Sequence, residues 1–176
     1  MKKGFTMIEL IFVIVILGIL ASVAIPRLAG TREDAEISTA VANLRTLVSD
    51  ANVYYVTKGD LKTKGSTTVD AKWSEITSVP LVNGNNAADA IDATDEAKLK
   101  VGGEECIGVT LVEKTTGANA TPAHIKFTRG SGDLCTKVLD SKPVAAYINS
   151  VVKPSTGAAI QNAMAIGSNT SIYPTN

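Results

Sequence analysis

The sequence predicts an α+β chain. One long N-terminal helix, part membrane anchor and part amphipathic, packs against a small antiparallel β-sheet head. Three observations predict it. Residues 5–25 form an apolar run long enough to cross a bilayer as a helix. Residues 35–56 carry apolar side chains at helical spacing. Residues 106–139 change to a period of two. The length, 176 residues, suits one domain with an appended anchor.

The N-terminal stretch reads GFTMIELIFVIVILGILASVAI over residues 4–25. As a helix, residues 5–25 rise roughly 31 Å, about the thickness of the hydrocarbon core. The β-branched richness does not make it a strand, because in lipid a lone segment must bond its own backbone. Lys2 and Lys3 precede it and favour a cytoplasmic N-terminus. Glu9 stands at its head, and a carboxylate in lipid costs a few kcal/mol or more, so it marks a functional site. One alternative is a secretory signal peptide cut after Ser22-Val23-Ala24. Glu9 in its apolar core and Pro26 just past the cut speak against that. A plain anchor is the other alternative, and it would need neither Gly4 nor Glu9.

Gly4-Phe5-Thr6-Met7-Ile8-Glu9, followed by the apolar run, resembles the class III signal of type IV pilins and type II secretion pseudopilins. The resemblance covers about the first fifth of the chain. It implies a pilin-like fold and a leader, residues 1–4, that a prepilin peptidase removes between Gly4 and Phe5. The same enzyme would N-methylate Phe5. Residues 5–25 would be a transmembrane anchor first and the core of a helical filament later. Glu9 would meet the Phe5 amine of a neighbouring subunit. The implied partners are further copies of the chain, related minor subunits, the peptidase, an inner-membrane assembly platform and the membrane itself. The implied location is the bacterial inner membrane, then an extracellular pilus or a periplasmic pseudopilus. The function expected is that of a structural, non-enzymatic type IV pilus subunit, with cell adhesion among the roles of such filaments. A type II secretion pseudopilin is the alternative, and a single-pass anchored binding protein is a third.

Under that reading Cys106 and Cys135 lie in the exported part, where a disulfide between them is expected. Two free buried thiols are the alternative. The pair favours a pilin, because major pseudopilins resemble one another in C-terminal calcium ligands and lack such a bond. Composition adds exclusions. Formal net charge is zero, and nothing global calls for nucleic acid. Without Lys2 and Lys3, fifteen basic side chains face 17 acidic ones. Aromatic residues are 5%, too few to favour a filament of stacked rings.

After the anchor, Gly18 and Pro26 interrupt the helix, and Pro26 removes a backbone donor, so a kink is expected. Residues 27–56 form the amphipathic half. Ile37, Val41, Leu44, Val48, Ala51 and Tyr55 recur at helical spacing. Gly59 reads as the C-terminal cap. Residues 57–176 are the head. Within it, residues 73–82 suggest a short helix or turn. Asn83-Gly84-Asn85-Asn86 and Gly102-Gly103 are turn signals. Residues 87–100 (AADAIDATDEAKLK) read as a short helix.

Residues 106–139 read as a three-stranded antiparallel meander. Val109, Leu111 and Glu113 lie on the first strand, Ile125 and Phe127 on the second, and Leu134, Thr136 and Val138 on the third. One face is expected to cover the helical stripe. A bond from Cys106 to Cys135 would close the loop 106–135. Residues 143–152 read as a helix opened by Pro143. The tail offers Ile160, Met164 and Ile166 for one more strand, with Tyr173 docking.

No catalytic constellation is legible and no cofactor is expected. His124 stands alone and reads as a strand surface residue. Asp89, Asp92 and Asp95 are spaced three apart, a solvated helical face rather than a calcium loop, so no metal site is assigned. The tripeptides beginning at Asn119 and Asn169 match a glycosylation sequon.

Overall fold

The computed structural model describes residues 4–61, 70–83, 86–87, 91–117, 120–154 and 156–167. The chain forms two compact units, residues 1–36 and 37–176. Helix α1, Met7–Lys58, contributes to both and continues through Pro26.

In the second unit α1 is the floor of the core. Ala40, Leu44, Leu47, Ala51, Tyr54 and Tyr55 are buried. Three residues of the expected stripe, Ile37, Val41 and Val48, are only partly covered and flank this seam. The seam is turned toward Leu47 and Tyr54, which are buried in the same core as the sheet residues. Gly59 ends the helix with φ 80°, and its N–H donates to the Tyr55 carbonyl at 2.8 Å. Few other residues adopt that backbone without strain.

A short helix α2, Trp73–Ile76, follows. Trp73 is fully buried, and its indole N–H reaches the Asp95 carbonyl at 3.4 Å. The Thr77 hydroxyl donates to Asp50 of α1 at 2.7 Å, which clamps this segment to the helix.

The sheet strands are β1 Leu81–Asn83, β2 Asn86–Ala87, β3 Ala97–Val101, β4 Glu104–Val112 and β5 His124–Arg129. After β5 come helices α3 Asp133–Asp140 and α4 Lys142–Ile148. Strands β6 Val151–Val152, β7 Ile160–Gln161 and β8 Ala163–Ala165 follow. The six-stranded sheet runs β2-β1-β3-β4-β5-β8, and β6 pairs with β7 apart from it. All of these pairings are antiparallel. Leu99, Ile107, Val109, Leu111, Ile125 and Phe127 form one core with the α1 seam. Val109 faces Phe127 and Leu111 faces Ile125, as strands of period two require. The two-residue turn between β3 and β4, Gly102-Gly103, has positive φ at both positions, which suits the right-handed strand twist.

Four expectations from the sequence are corrected. Over residues 91–100 the expected helix is absent. Ala97, Leu99 and Val101 alternate inward along β3, and Asp92 to Asp95 make a turn closed by Asp95 N–H to Asp92 O at 3.0 Å. The acids therefore share no helical face. Asp92 takes Lys72 at 2.6 Å, and Asp89 lies outside the described residues.

Residues 134–138 are not a third strand. Cys135, Val138 and Leu139 are the buried face of α3, because three- and four-residue spacing competes there with the alternation of Leu134, Thr136 and Val138. The neighbour of β5 is β8 from the tail. That tail makes two short strands rather than one, bent at Asn162 with φ 55°. His124 is buried at 3% exposure. It stands between Val112 of β4 and Ala165 of β8, and its Nδ1–H donates to the Pro122 carbonyl at 2.8 Å.

Elsewhere the chain keeps near its expected course. Pro143 sits in the first turn of α4, which ends before β6. Gly84 and Asn85 of the first turn signal, together with Asn119, Asn169 and Tyr173, lie outside the described residues.

Among the described residues, the ion pairs Lys72–Asp92 at 2.6 Å and Lys98–Glu105 at 2.9 Å edge the head. The hydrogen bond from each lysine to its carboxylate raises that lysine above the usual value. With the folded values raised, both pairs support the fold at neutral pH. That support is lost as pH climbs through the lysine range.

Candidate functional site

The residues singled out in the sequence lie in two places: the N-terminal segment and the disulfide. In the N-terminal segment α1 opens at Met7. Thr6 stands immediately before it, and Glu9 is the third helical residue. The Thr6 amide donates to Glu9 Oε2 at 2.9 Å and the Thr6 hydroxyl donates to the same oxygen at 2.7 Å. The Glu9 amide donates to Thr6 Oγ1 at 3.4 Å. This is a capping box, the reciprocal satisfaction of donors at a helix start.

Sequence reasoning passed over Thr6, although Thr-x-x-Glu ahead of an apolar run is the signal for it. The box gives the carboxylate partners within its own chain. It also sits wholly C-terminal to the Gly4–Phe5 bond, so cutting that bond would leave the Thr6 amide and hydroxyl in place. Thr6→Ala should loosen this first turn by about 1 kcal/mol. Amide exchange at Met7 to Leu10, measured in micelles, should then be roughly fivefold faster. Unchanged exchange there would show that the box does not hold the helix start.

Next to the box, Phe5 is 93% exposed, and a side chain at Gly4 would meet no atom within 4 Å. Beyond it the helix presents bare apolar surface. Ile8, Leu10, Ile11, Phe12, Val13 and Ile14 are all exposed, and the exposure runs on through Ile25. Among the described residues α1 is the helix long and apolar enough to cross a membrane. The mean hydropathy of its most apolar 18 residues is 2.9, and none of that window is buried. Apolar surface on this scale, at about 25 cal/mol per Å², demands lipid or other protein around it. Gly18 has open space where a Cβ would stand. Pro26 lies inside the helix without ending it.

In the head, Cys106 of β4 and Cys135 of α3 are bonded to each other and fully buried. The register between β3 and β4 shifts so that Leu99 faces Ile107 while Lys100 faces Glu105. The extra residue is Cys106. This bulge turns both Cys106 and Ile107 inward, as bulges do when they re-aim a side chain. Glu104 brings its carboxylate close to both sulfurs, with donor atoms within 4.8 Å of one another. The sulfurs are spent on the disulfide, so this trio is not a metal centre.

A polar pocket of about 570 Å³ lies alongside, lined by Glu96, Lys98, Glu104, Glu105, Thr128 and Arg129 among others. Several of its charged groups have protein partners: Lys98 pairs with Glu105, the Thr128 hydroxyl donates to Glu96, and Arg129 donates to Asn149 Oδ1, outside the pocket, at 2.7 Å.

Comparison with known proteins places the N-terminal segment. The family model described as the prokaryotic N-terminal methylation motif matches residues 1–25. The chain is similar to the type II secretion system core protein G of Dickeya chrysanthemi, 43% identical over 53 residues, 30% of this chain and 35% of that protein. It is similar to the protein of the same description from Escherichia coli K12, 40% identical over 53 residues, 30% of this chain and 37% of that protein. It is also similar to a fimbrial protein of Neisseria meningitidis serogroup A, 34% identical over 89 residues, 48% of this chain and 52% of that protein. The chain thus matches between about a third and a half of the length of these relatives. No solved structure matches it.

Proposed function

We propose that this chain is a structural, non-enzymatic subunit of a type IV pilus, a reading supported by the N-terminal methylation motif over residues 1–25 and by the likeness to secretion core protein G and a fimbrial protein. It is made with the leader 1–4, inserted into the inner membrane through residues 5–25, cut between Gly4 and Phe5, and methylated at Phe5. An inner-membrane platform then moves it into a helical filament. There the apolar helices of many copies cover one another, and Glu9 meets the Phe5 amine of a neighbour. Gly18 and Pro26 are where the helix can bend or unwind to fit its neighbours. The head, residues 57–176, faces outward.

The observation that carries this reading is the wholly uncovered apolar stretch of α1 headed by one acid. A permanent anchor needs the apolar stretch alone. A subunit that leaves lipid for a filament needs also a charge that sets its register. The cysteine pair supports the pilus over the pseudopilus. The second reading, a pseudopilin, is favoured by the relatives described as type II secretion core protein G.

Mass spectrometry of the membrane-bound protein tests the processing. The expected result is a chain beginning at N-methylated Phe5. A chain beginning at Ile25 would establish a secretory signal and remove the basis for a filament.

A further inference from the structure

Glu104 has no part in assembly as proposed, yet its carboxylate is placed against the disulfide. Oε2 lies 3.5 Å from Cys135 Sγ. The same oxygen occupies the space a side chain at position 132 would need, and a Cβ on Gly132 would collide with it. Gly132, with φ 133°, is the residue just before α3. Cys135 is in the first turn of that helix. A helix N-terminus lowers the energy of a thiolate and makes such a cysteine the better leaving group in thiol–disulfide exchange. Glu104 sets a negative charge where that thiolate would form, and Asp133 in the same turn adds to it.

We propose that Glu104 is an electrostatic guard that slows reduction of the Cys106–Cys135 bond by thiols. An attacking thiolate RS⁻ bonds to Cys106 Sγ, and the Cys135 sulfur leaves with the electron pair and later takes a proton. A second RS⁻ then attacks the R-bearing sulfur, releasing RS–SR and the Cys106 thiolate. Protein sulfur is reduced and the external thiol is oxidised. Glu104 opposes the step twice. It repels the incoming anion, and it destabilises the Cys135 thiolate as it forms. Glu104 is exposed and its carboxylate lies beside two sulfurs that are themselves buried.

The test uses the full chain in detergent micelles and two soluble thiols, anionic 2-mercaptoethanesulfonate and cationic cysteamine, at equal thiolate concentration. Reduction of the wild-type disulfide should be slower with the anionic reagent. Glu104→Gln should speed that reaction about fivefold, the effect of one unit charge a few ångströms away in a water-like medium. It should also narrow the cysteamine-to-mercaptoethanesulfonate rate ratio, because the doubly charged thiolate loses a repulsion that the net-neutral cysteamine thiolate does not feel. Lys98, Glu105, Arg129 and Asp133 are common to both proteins and cancel in the comparison. High salt should narrow the wild-type ratio as well, a reading that needs no variant. Rates raised equally for both reagents, and by the same factor at high salt as at low, would mean looser packing rather than a lost charge, and would overturn the proposal. Unchanged rates, or a wild-type ratio indifferent to salt, would overturn it too.

Discussion

Glu9→Ala protein should insert into the membrane and be cleaved, yet be depleted from filaments at least about tenfold. Every 1.4 kcal/mol is a factor of about ten, and pairing a carboxylate with a cation in a medium poorer than water is worth more than that. In the proposed maturation, cutting after Gly4 would create the cation, the Phe5 amine, at nearly the depth of Glu9. Within one helix the two are about 6 Å apart in rise, so the amine is better placed to meet the Glu9 of another copy.

Thr6 sharpens the experiment. In the single chain Glu9 Oε2 accepts from the Thr6 amide and hydroxyl, so alanine removes both the helix cap and the charge. Glutamine keeps a side chain that can cap and removes only the charge. Glu9→Gln should therefore fail in filaments nearly as badly as Glu9→Ala while retaining slow amide exchange at the first turn. Incorporation of Glu9→Gln at wild-type levels would mean that the cap, not the charge, is what the acid provides.

The second large effect is on the head. Replacing Cys106 by serine should lower head stability by roughly 3–4 kcal/mol, the chain-entropy value for a loop of this size; the two cysteines are 29 residues apart. That is a sizeable share of a small domain's net stability. The bond joins the bulge of β4 to the first turn of α3, and α3 is a short helix with no side-chain cap. The loss should therefore be felt first in α3 and α4. Urea unfolding, followed by the fluorescence of buried Trp73, measures it. Membrane insertion should be unaffected, because residues 5–25 do not depend on the head. A shift below about 1 kcal/mol, the scale of one ordinary core adjustment, would show that the core alone fixes α3 on the sheet.

The long helix with its apolar first half was legible because a long apolar run and a sustained helical period leave few alternatives. The strands at Val109–Leu111 and Ile125–Phe127 were legible for the same reason at a period of two. What escaped was local competition. Residues 134–139 satisfy both periods over their short length, and only packing of Cys135, Val138 and Leu139 against the sheet chooses the helix. Residues 87–100 are rich in Ala, Asp and Lys, a composition that suits a short exposed helix in isolation. The pairing of Ala97, Leu99 and Val101 with β1 and β4 overrides that preference. His124 was placed at the surface because no sequence pattern announced that β8, some forty residues on, would pair beside it. At the N-terminus Glu9 was legible as an anomaly in an apolar run, while its partner Thr6 was hidden inside the same motif.

The most direct measurement is to shear filaments from the cell surface, purify them and count this chain by intact mass. The expected result is filaments in which the chain, beginning at methylated Phe5, is a stoichiometric subunit. Its absence from every filament, with the chain remaining monomeric in the membrane, would contradict the filament reading and leave an anchored head.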